Sequence, residues 1–204
     1  MRPLTAMPGP RIAARELAAR LSRESRTMNA RSANAPDTAT PSASDRTFRP
    51  VRPADIERIA QIAVQAWVPI HASYRQRLGD EIYAALHTGW EGRKAEAVRN
   101  AARTRPGCVC VTEVRGKVVG FTTFSLDGTT KVGTITDNAV DPDCQGQGVG
   151  TFQHQRVLDL MRQRGMKFAK VGTGLDDGHA AARRSYEKAG FDRRLEHVTY
   201  FMAL

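Results

Sequence analysis

Gln145-Gly-Gln-Gly-Val-Gly150 lies between a run with strand character, 132–140, and a run with helical character, 151–163. A glycine-rich turn at such a junction leaves backbone N–H groups uncovered at a helix N-terminus, where the positive end of the helix dipole favours a phosphate group. The stretch therefore reads as a pyrophosphate site. It does not fit a P-loop, which ends in Gly-Lys-Ser/Thr. Nor does it fit the dinucleotide fingerprint, whose third glycine would fall where Thr151 stands.

Working outward from the loop, alternation and turn chemistry predict strands at 48–52, 108–115, 118–126, 131–140, 168–174 and 194–203. Gly116-Lys117 and Asp127-Gly128 mark the hairpin turns. Pro53-Ala-Asp opens a helix whose Ile56, Ile59, Ala60, Ala63 and Trp67 share one face, and Pro69 is expected to end it. Further helices are expected at 80–86, 91–103 and 180–189, with Gly165 closing the one after the loop. Residues 1–45 read as a basic tail, disordered or weakly helical. Ile12, Leu17 and Leu21 recur at near-helical spacing, but the Ala/Pro/Ser/Thr-rich stretch that follows has too little apolar surface to offset its ordering entropy. Residues 46–204 are expected to form one domain.

The net charge of +10 divides evenly: the first 50 residues hold nine basic and four acidic side chains, so half the excess sits in the tail. The remaining charge is modest, and a nucleic-acid partner is not expected. No apolar stretch approaches the roughly 20 residues of a membrane span, and the N-terminus has no signal-peptide core. The expectation is a cytoplasmic protein with no membrane partner and no metal. Cys108, Cys110 and Cys144 are too few for a disulfide framework, and Cys108 and Cys110 on one strand would share a face.

A second motif follows the strand expected at 168–174: Asp177-Gly-His-Ala-Ala-Ala-Arg-Arg-Ser-Tyr-Glu-Lys-Ala-Gly-Phe191. Together, the Gln-x-x-Gly-x-Gly loop and this helix, of the form Asn-x-x-Ala-x-x-x-Tyr-x-x-x-Gly-Phe, resemble the acyl-CoA loop and last helix of the GCN5-related N-acetyltransferases. The resemblance covers roughly residues 46–204. It implies an α/β (α+β) fold, with a central mixed, mostly antiparallel sheet, helices on both faces and strands splayed at the acyl-CoA site. It also implies acetyl-CoA as co-substrate, bound by backbone amides of Gln145, Gly146, Gln147, Gly148, Val149 and Gly150, with Thr151 capping. Asn138, Ala139 and Val140 would meet pantetheine and the thioester carbonyl.

In the same resemblance Tyr186 is the general acid, since a phenol near pKa 10 matches a departing thiolate. His179 stands where an asparagine commonly contacts pantetheine, and Arg183 is placed to meet a CoA phosphate. Many relatives carry a glutamate base where this chain has Thr134; Asp137 is the nearest ionisable substitute, and a water chain or a carboxylate such as Asp80 or Glu81 is equally tenable. Trp67, Tyr74, Asp80 and Glu81 are candidate acceptor contacts. The implied reaction is direct attack of a primary amine, with small molecules such as polyamine-like or aminoglycoside antibiotics as the expected acceptors. A protein N-terminus or lysine, or a CoA-sensing module without catalysis, are the alternatives. The protein would be a monomer or homodimer. A cationic acceptor would need several of Asp80, Glu81, Glu91, Asp127, Asp137, Asp176 and Asp177 to converge on one opening.

Overall fold

Alternating apolar positions do build a sheet, and its register brings the strand ends to the glycine loop. The computed structural model describes residues 45–204, so the expected tail lies, but for Asp45, outside the described residues. Strands β1 (Arg46–Pro50), β2 (Val109–Val114), β3 (Lys117–Asp127), β4 (Val132–Val140) and β5 (Phe168–Val171) form one sheet in that spatial order. The first four run antiparallel, while β4 and β5 are parallel. The β2–β3 turn uses Arg115 and Gly116, both at positive φ (50° and 75°), the pairing whose twist suits a tight hairpin.

Helices α1 (Ile56–His87), α2 (Trp90–Thr104), α3 (Val149–Gln163) and α4 (Ala180–Ala189) cover the sheet. Ile59, Ile62 and Ala63 of α1 and Val98 and Ala102 of α2 bury one face against Val111 and Phe121. On the other face Val157, Leu158 and Met161 of α3 meet Cys110, Phe124 and Ile135. Phe121 and Phe124 stand three residues apart on β3, so alternation sends them to opposite cores. Gln153 of α3 fastens its core from within, donating to Phe121 O at 2.7 Å and accepting from Thr112 Oγ1 at 2.9 Å. No helix among the described residues is long and apolar enough to cross a membrane.

Three expectations are corrected. Pro69 does not end α1, which runs on to a break at Gly79 (φ 76°, ψ 163°); helical geometry then resumes to His87, in keeping with the separate helix expected at 80–86. An internal proline removes one backbone hydrogen bond, at a cost of about 3 kcal/mol. Pro69 itself is exposed, while Ile70 and His71 directly after it are buried, so tertiary packing carries the helix across the defect. The strand expected at 194–203 is not formed: residues 191–204 have no regular structure, and Leu195 and Tyr200 are 84% and 90% exposed. Alternation makes a segment able to pair, but a partner strand decides whether it does. β5 pairs with β4 alone, and it stops at Val171 rather than residue 174.

Candidate active site

Gly146 and Gly148 both adopt positive φ, 75° and 79°, and Gly148 is the residue that caps α3. The loop thus turns into the helix with its first amides uncovered; the first to reach a backbone carbonyl is Phe152 N–H, which donates to Gly148 O at 3.0 Å. Gln145 Nε2 donates to Val140 O at 3.0 Å, and Arg46 Nη2 to Gln147 O at 2.7 Å, tying the loop to β4 and β1. Thr151 falls inside the first turn, so it does not cap. A Cβ on Gly150 would meet side chains of Ser185 and Val140 at an ordinary 3.8 Å, so the chain's own geometry requires glycine at 148 rather than at 150.

Beside this loop β4 outruns its parallel neighbour. Pairing with β5 covers only Val132 to Ile135, whereas pairing with β3 continues to Val140. From Thr136 onward the β5-side edge of β4 is open, and Asn138, Ala139 and Val140 lie on that splayed stretch.

Tyr186, buried on α4, is joined to the splay. Its hydroxyl accepts from Asn138 Nδ2 at 2.9 Å, and Asn138 Oδ1 lies 3.2 Å from His154 Nε2. His154 Nδ1 is 3.3 Å from Ser185 Oγ, and its ring is 4.7 Å from that of Tyr186. An amide oxygen only accepts, so His154 carries its proton on Nε2. Burial pushes this histidine down to about 4, keeping it neutral. Burial is also the main influence on Tyr186, raising its phenol above the ordinary value; the Asn138 hydrogen bond opposes this and Asp137's charge adds to it. With Asn138 as donor, the phenol keeps its own proton available to give away.

Strand alternation sends Asp137 to the opposite face, toward α1 and α2. There Lys94 Nζ lies 2.7 Å from Asp137 Oδ2 and 3.3 Å from the centre of the Trp67 ring. Burial pushes the Asp137 carboxyl up and the Lys94 ammonium down, and their mutual attraction opposes both shifts. Asp137, expected as a base, is therefore committed to an ion pair. Trp67 and Tyr74 do come together, around His71: that ring stacks on Trp90 at 3.8 Å and lies 6.1 Å from Trp67 and 5.6 Å from Tyr74. Asp80 and Glu81 do not join them. Both are exposed, and Asp80 accepts from Arg75 Nε at 2.5 Å. Arg183 donates to the carbonyls of Gly174 and Asp176, so its guanidinium serves the β5–α4 loop rather than standing ready for a phosphate. His179 is buried against Asp176 and the rings of Trp67 and Tyr74.

The Acetyltransferase (GNAT) family model matches residues 67–191, which contain the glycine loop, the splayed end of β4 and Tyr186. The chain belongs to the GNAT acetyltransferase family. Among relatives, a mycothiol acetyltransferase of Salinispora tropica is 27% identical over 143 residues, 63% of this chain and 46% of that protein. The chain spans between 22% and 46% of the length of the curated relatives it matches. Among solved structures, yncA of Salmonella typhimurium, solved with acetyl-CoA, is 25% identical with a TM-score of 0.50, over 72% of this chain and 80% of that one. An aminoglycoside acetyltransferase from an uncultured soil metagenomic sample shares the fold at 14% identity, with a TM-score of 0.51 over 79% of this chain and 98% of that one.

Within this GNAT domain, sequence reading missed Lys94, His71 and His154. Lys94 sits in a helix rich in charge, where nothing local distinguishes a buried lysine. His154 falls on the apolar face of α3 between Gly150 and Val157, a position where a polar residue is itself a signal. Burial raises the Cys110 thiol to about 11, and burial followed by the charges of Asp141 and Asp143 raises Cys144.

His71 and His154 make stability pH-dependent. Burial, with His87 adding to it for His71, holds each at about 4 in the fold, below the ordinary 6.5. As pH falls below 6.5 the unfolded chain takes protons that the fold does not, so stability declines from there to about pH 4, by about 1.4 kcal/mol per pH unit per ring at most. Urea unfolding between pH 7 and 4 should show this decline, and His154→Gln should flatten it. A wild-type profile already flat over that range would mean the rings are charged in the fold.

Proposed function

We propose that this chain is an acetyl-CoA-dependent N-acetyltransferase that acts on a small primary amine by direct attack on the thioester. The observation that carries the reading is the placement of Tyr186: its hydroxyl is held by Asn138 on the open end of β4, beside the uncovered amides at the start of α3. Amides of Gly146 to Thr151 would hold the pyrophosphate, free backbone groups of the splay would meet pantetheine and the thioester carbonyl, and Tyr186 would protonate the leaving thiolate.

The lining on the α1 and α2 side supports an amine borne on an apolar or aromatic group more than a polycation such as an aminoglycoside. Trp67, Tyr74 and His71 lie there together with the ammonium of Lys94. Of the acids that would steer a polycation, Asp137 is neutralised by Lys94, Asp80 is paired with Arg75, and Asp127 caps the β3–β4 turn through Thr129 and Thr130. Thiol release from acetyl-CoA, measured with arylalkylamines, polyamines, aminoglycosides and peptides, tests this. Arylalkylamines should give the highest kcat/KM. Preference for an aminoglycoside would overturn the acceptor class, and turnover of none, with acetyl-CoA bound, would favour a sensing module.

A further inference from the structure

The loop between β5 and α4 carries a histidine–carboxylate pair to which no proton-transfer role has been given. His179 Nδ1 lies 2.6 Å from Asp176 Oδ2, and both residues are buried, at 9% and 7% exposure. The loop is shaped around the pair. A Cβ on Gly174 would fall 2.3 Å from Asp176 Oδ2 and 2.6 Å from His179 Nδ1, and one on Gly178 would fall 2.8 Å from the Ile70 backbone of α1. Any side chain at 174 would force the two groups apart. Arg183 holds the loop from behind, at 2.6 Å from Gly174 O and 2.8 Å from Asp176 O.

The pair sits between α1 and the start of α4, the helix that carries Tyr186. The His179 ring lies 6.4 Å from Trp67, edge-on, and 6.0 Å from Tyr74. Trp67 touches Lys94, which holds Asp137 on the α1 and α2 face of β4, while the next residue, Asn138, holds Tyr186 on the other face. His179 is the N-cap of α4, the helix that carries Tyr186 seven residues on. A base is needed there, because a primary alkylamine is an ammonium at neutral pH, Thr134 has no basic group, and Asp137 is paired.

We propose that His179 removes a proton from the acceptor ammonium, with Asp176 as the positioning residue that holds Nδ1–H and leaves Nε2 free to accept. This rests on the N-acetyltransferase reading. The neutral amine attacks the acetyl carbon, the C–N bond forms and the C–S bond breaks. Tyr186 protonates the departing thiolate, and the second proton lost by the nitrogen restores Tyr186. The first leaves His179 for solvent, so one proton is released per acetyl group transferred. The charged and titratable groups around His179 are Asp176, Asp177 and Arg183 on its own loop and helix and Tyr74 on α1, with Lys94 and Asp137 paired beyond Trp67.

The test is His179→Gln, using the best alkylamine acceptor of the wild type. Its kcat/KM for the amine at pH 7 should fall by about 10²–10⁴-fold, with the acetyl-CoA Kd unchanged. The loss should shrink as pH rises toward the amine's own pKa, and should be smaller for a weakly basic aromatic amine. Asp176→Asn should give a lesser loss with the same pH signature; should His179→Gln fail to fold by circular dichroism, this variant decides. An unaltered acceptor kcat/KM overturns the proposal, as does a loss that is equal at every pH and accompanied by weaker acetyl-CoA binding, since that marks a pantetheine contact. A wild type that binds acetyl-CoA and acetylates no amine fails the N-acetyltransferase reading instead, and is distinguished by that control.

Discussion

Replacing Tyr186 with phenylalanine should lower turnover by about 10²–10⁴-fold, the range expected when a general acid is removed, with little change in the KM for acetyl-CoA. The reason is the timing of the contribution. A phenol that protonates the leaving thiolate acts only in the transition state, so its loss appears in kcat; a ring that merely packs would leave kcat alone. Phenylalanine keeps the ring beside His154 and Phe191 but leaves Asn138 Nδ2 without its 2.9 Å acceptor. A stability loss of about 1–3 kcal/mol should therefore accompany the change, and activity is compared well below the melting transition. The pH profile adds a second readout. Because burial first, aided by Asp137, raises the phenol above its ordinary value, the wild-type alkaline limb should lie above the usual tyrosine range, and the variant should lack it. Steady-state kinetics at saturating acetyl-CoA decide the matter: equal kcat in the two proteins would make Tyr186 a packing residue.

The parts legible in the sequence were those with local chemistry. The Gly146 and Gly148 turn, the strand leading to it and Tyr186 on its helix all stand where spacing placed them, because positive φ, alternation and helical period each depend on a few neighbouring residues. The errors concern what the rest of the molecule supplies. Pro69 carries a strong local signal to stop, yet buried Ile70 and His71 outweigh it. Residues 194–203 alternate as a strand does but find no partner among the described strands. Asp137, the nearest ionisable substitute for the missing glutamate, is paired with Lys94, which lies forty-three residues earlier and is invisible at that range. Asp176 looked like one more loop acid until the fold set it against His179.

Gly148→Trp should abolish measurable acetyl-CoA binding while leaving the protein folded. Two separable effects meet at this residue. Its φ of 79° disfavours any L side chain, a strain of about 1–2 kcal/mol, which a domain with two helix-covered sheet faces can absorb. Its position as the cap of α3 matters more, because a bulky side chain there would stand before the first-turn amides that have no backbone carbonyl to bind. A Cβ meets nothing nearer than Arg46 Nη1, 3.6 Å away, so the protein itself has room for the start of a side chain. Gly148→Ala supplies the control, since it carries the backbone strain without the bulk and should weaken binding only modestly. By calorimetric titration the tryptophan variant should raise the acetyl-CoA Kd by about 10³-fold or more, equivalent to about 4 kcal/mol, with thermal unfolding still cooperative. An unchanged Kd in folded Gly148→Trp protein would place the phosphate groups elsewhere and remove the glycine loop from the site.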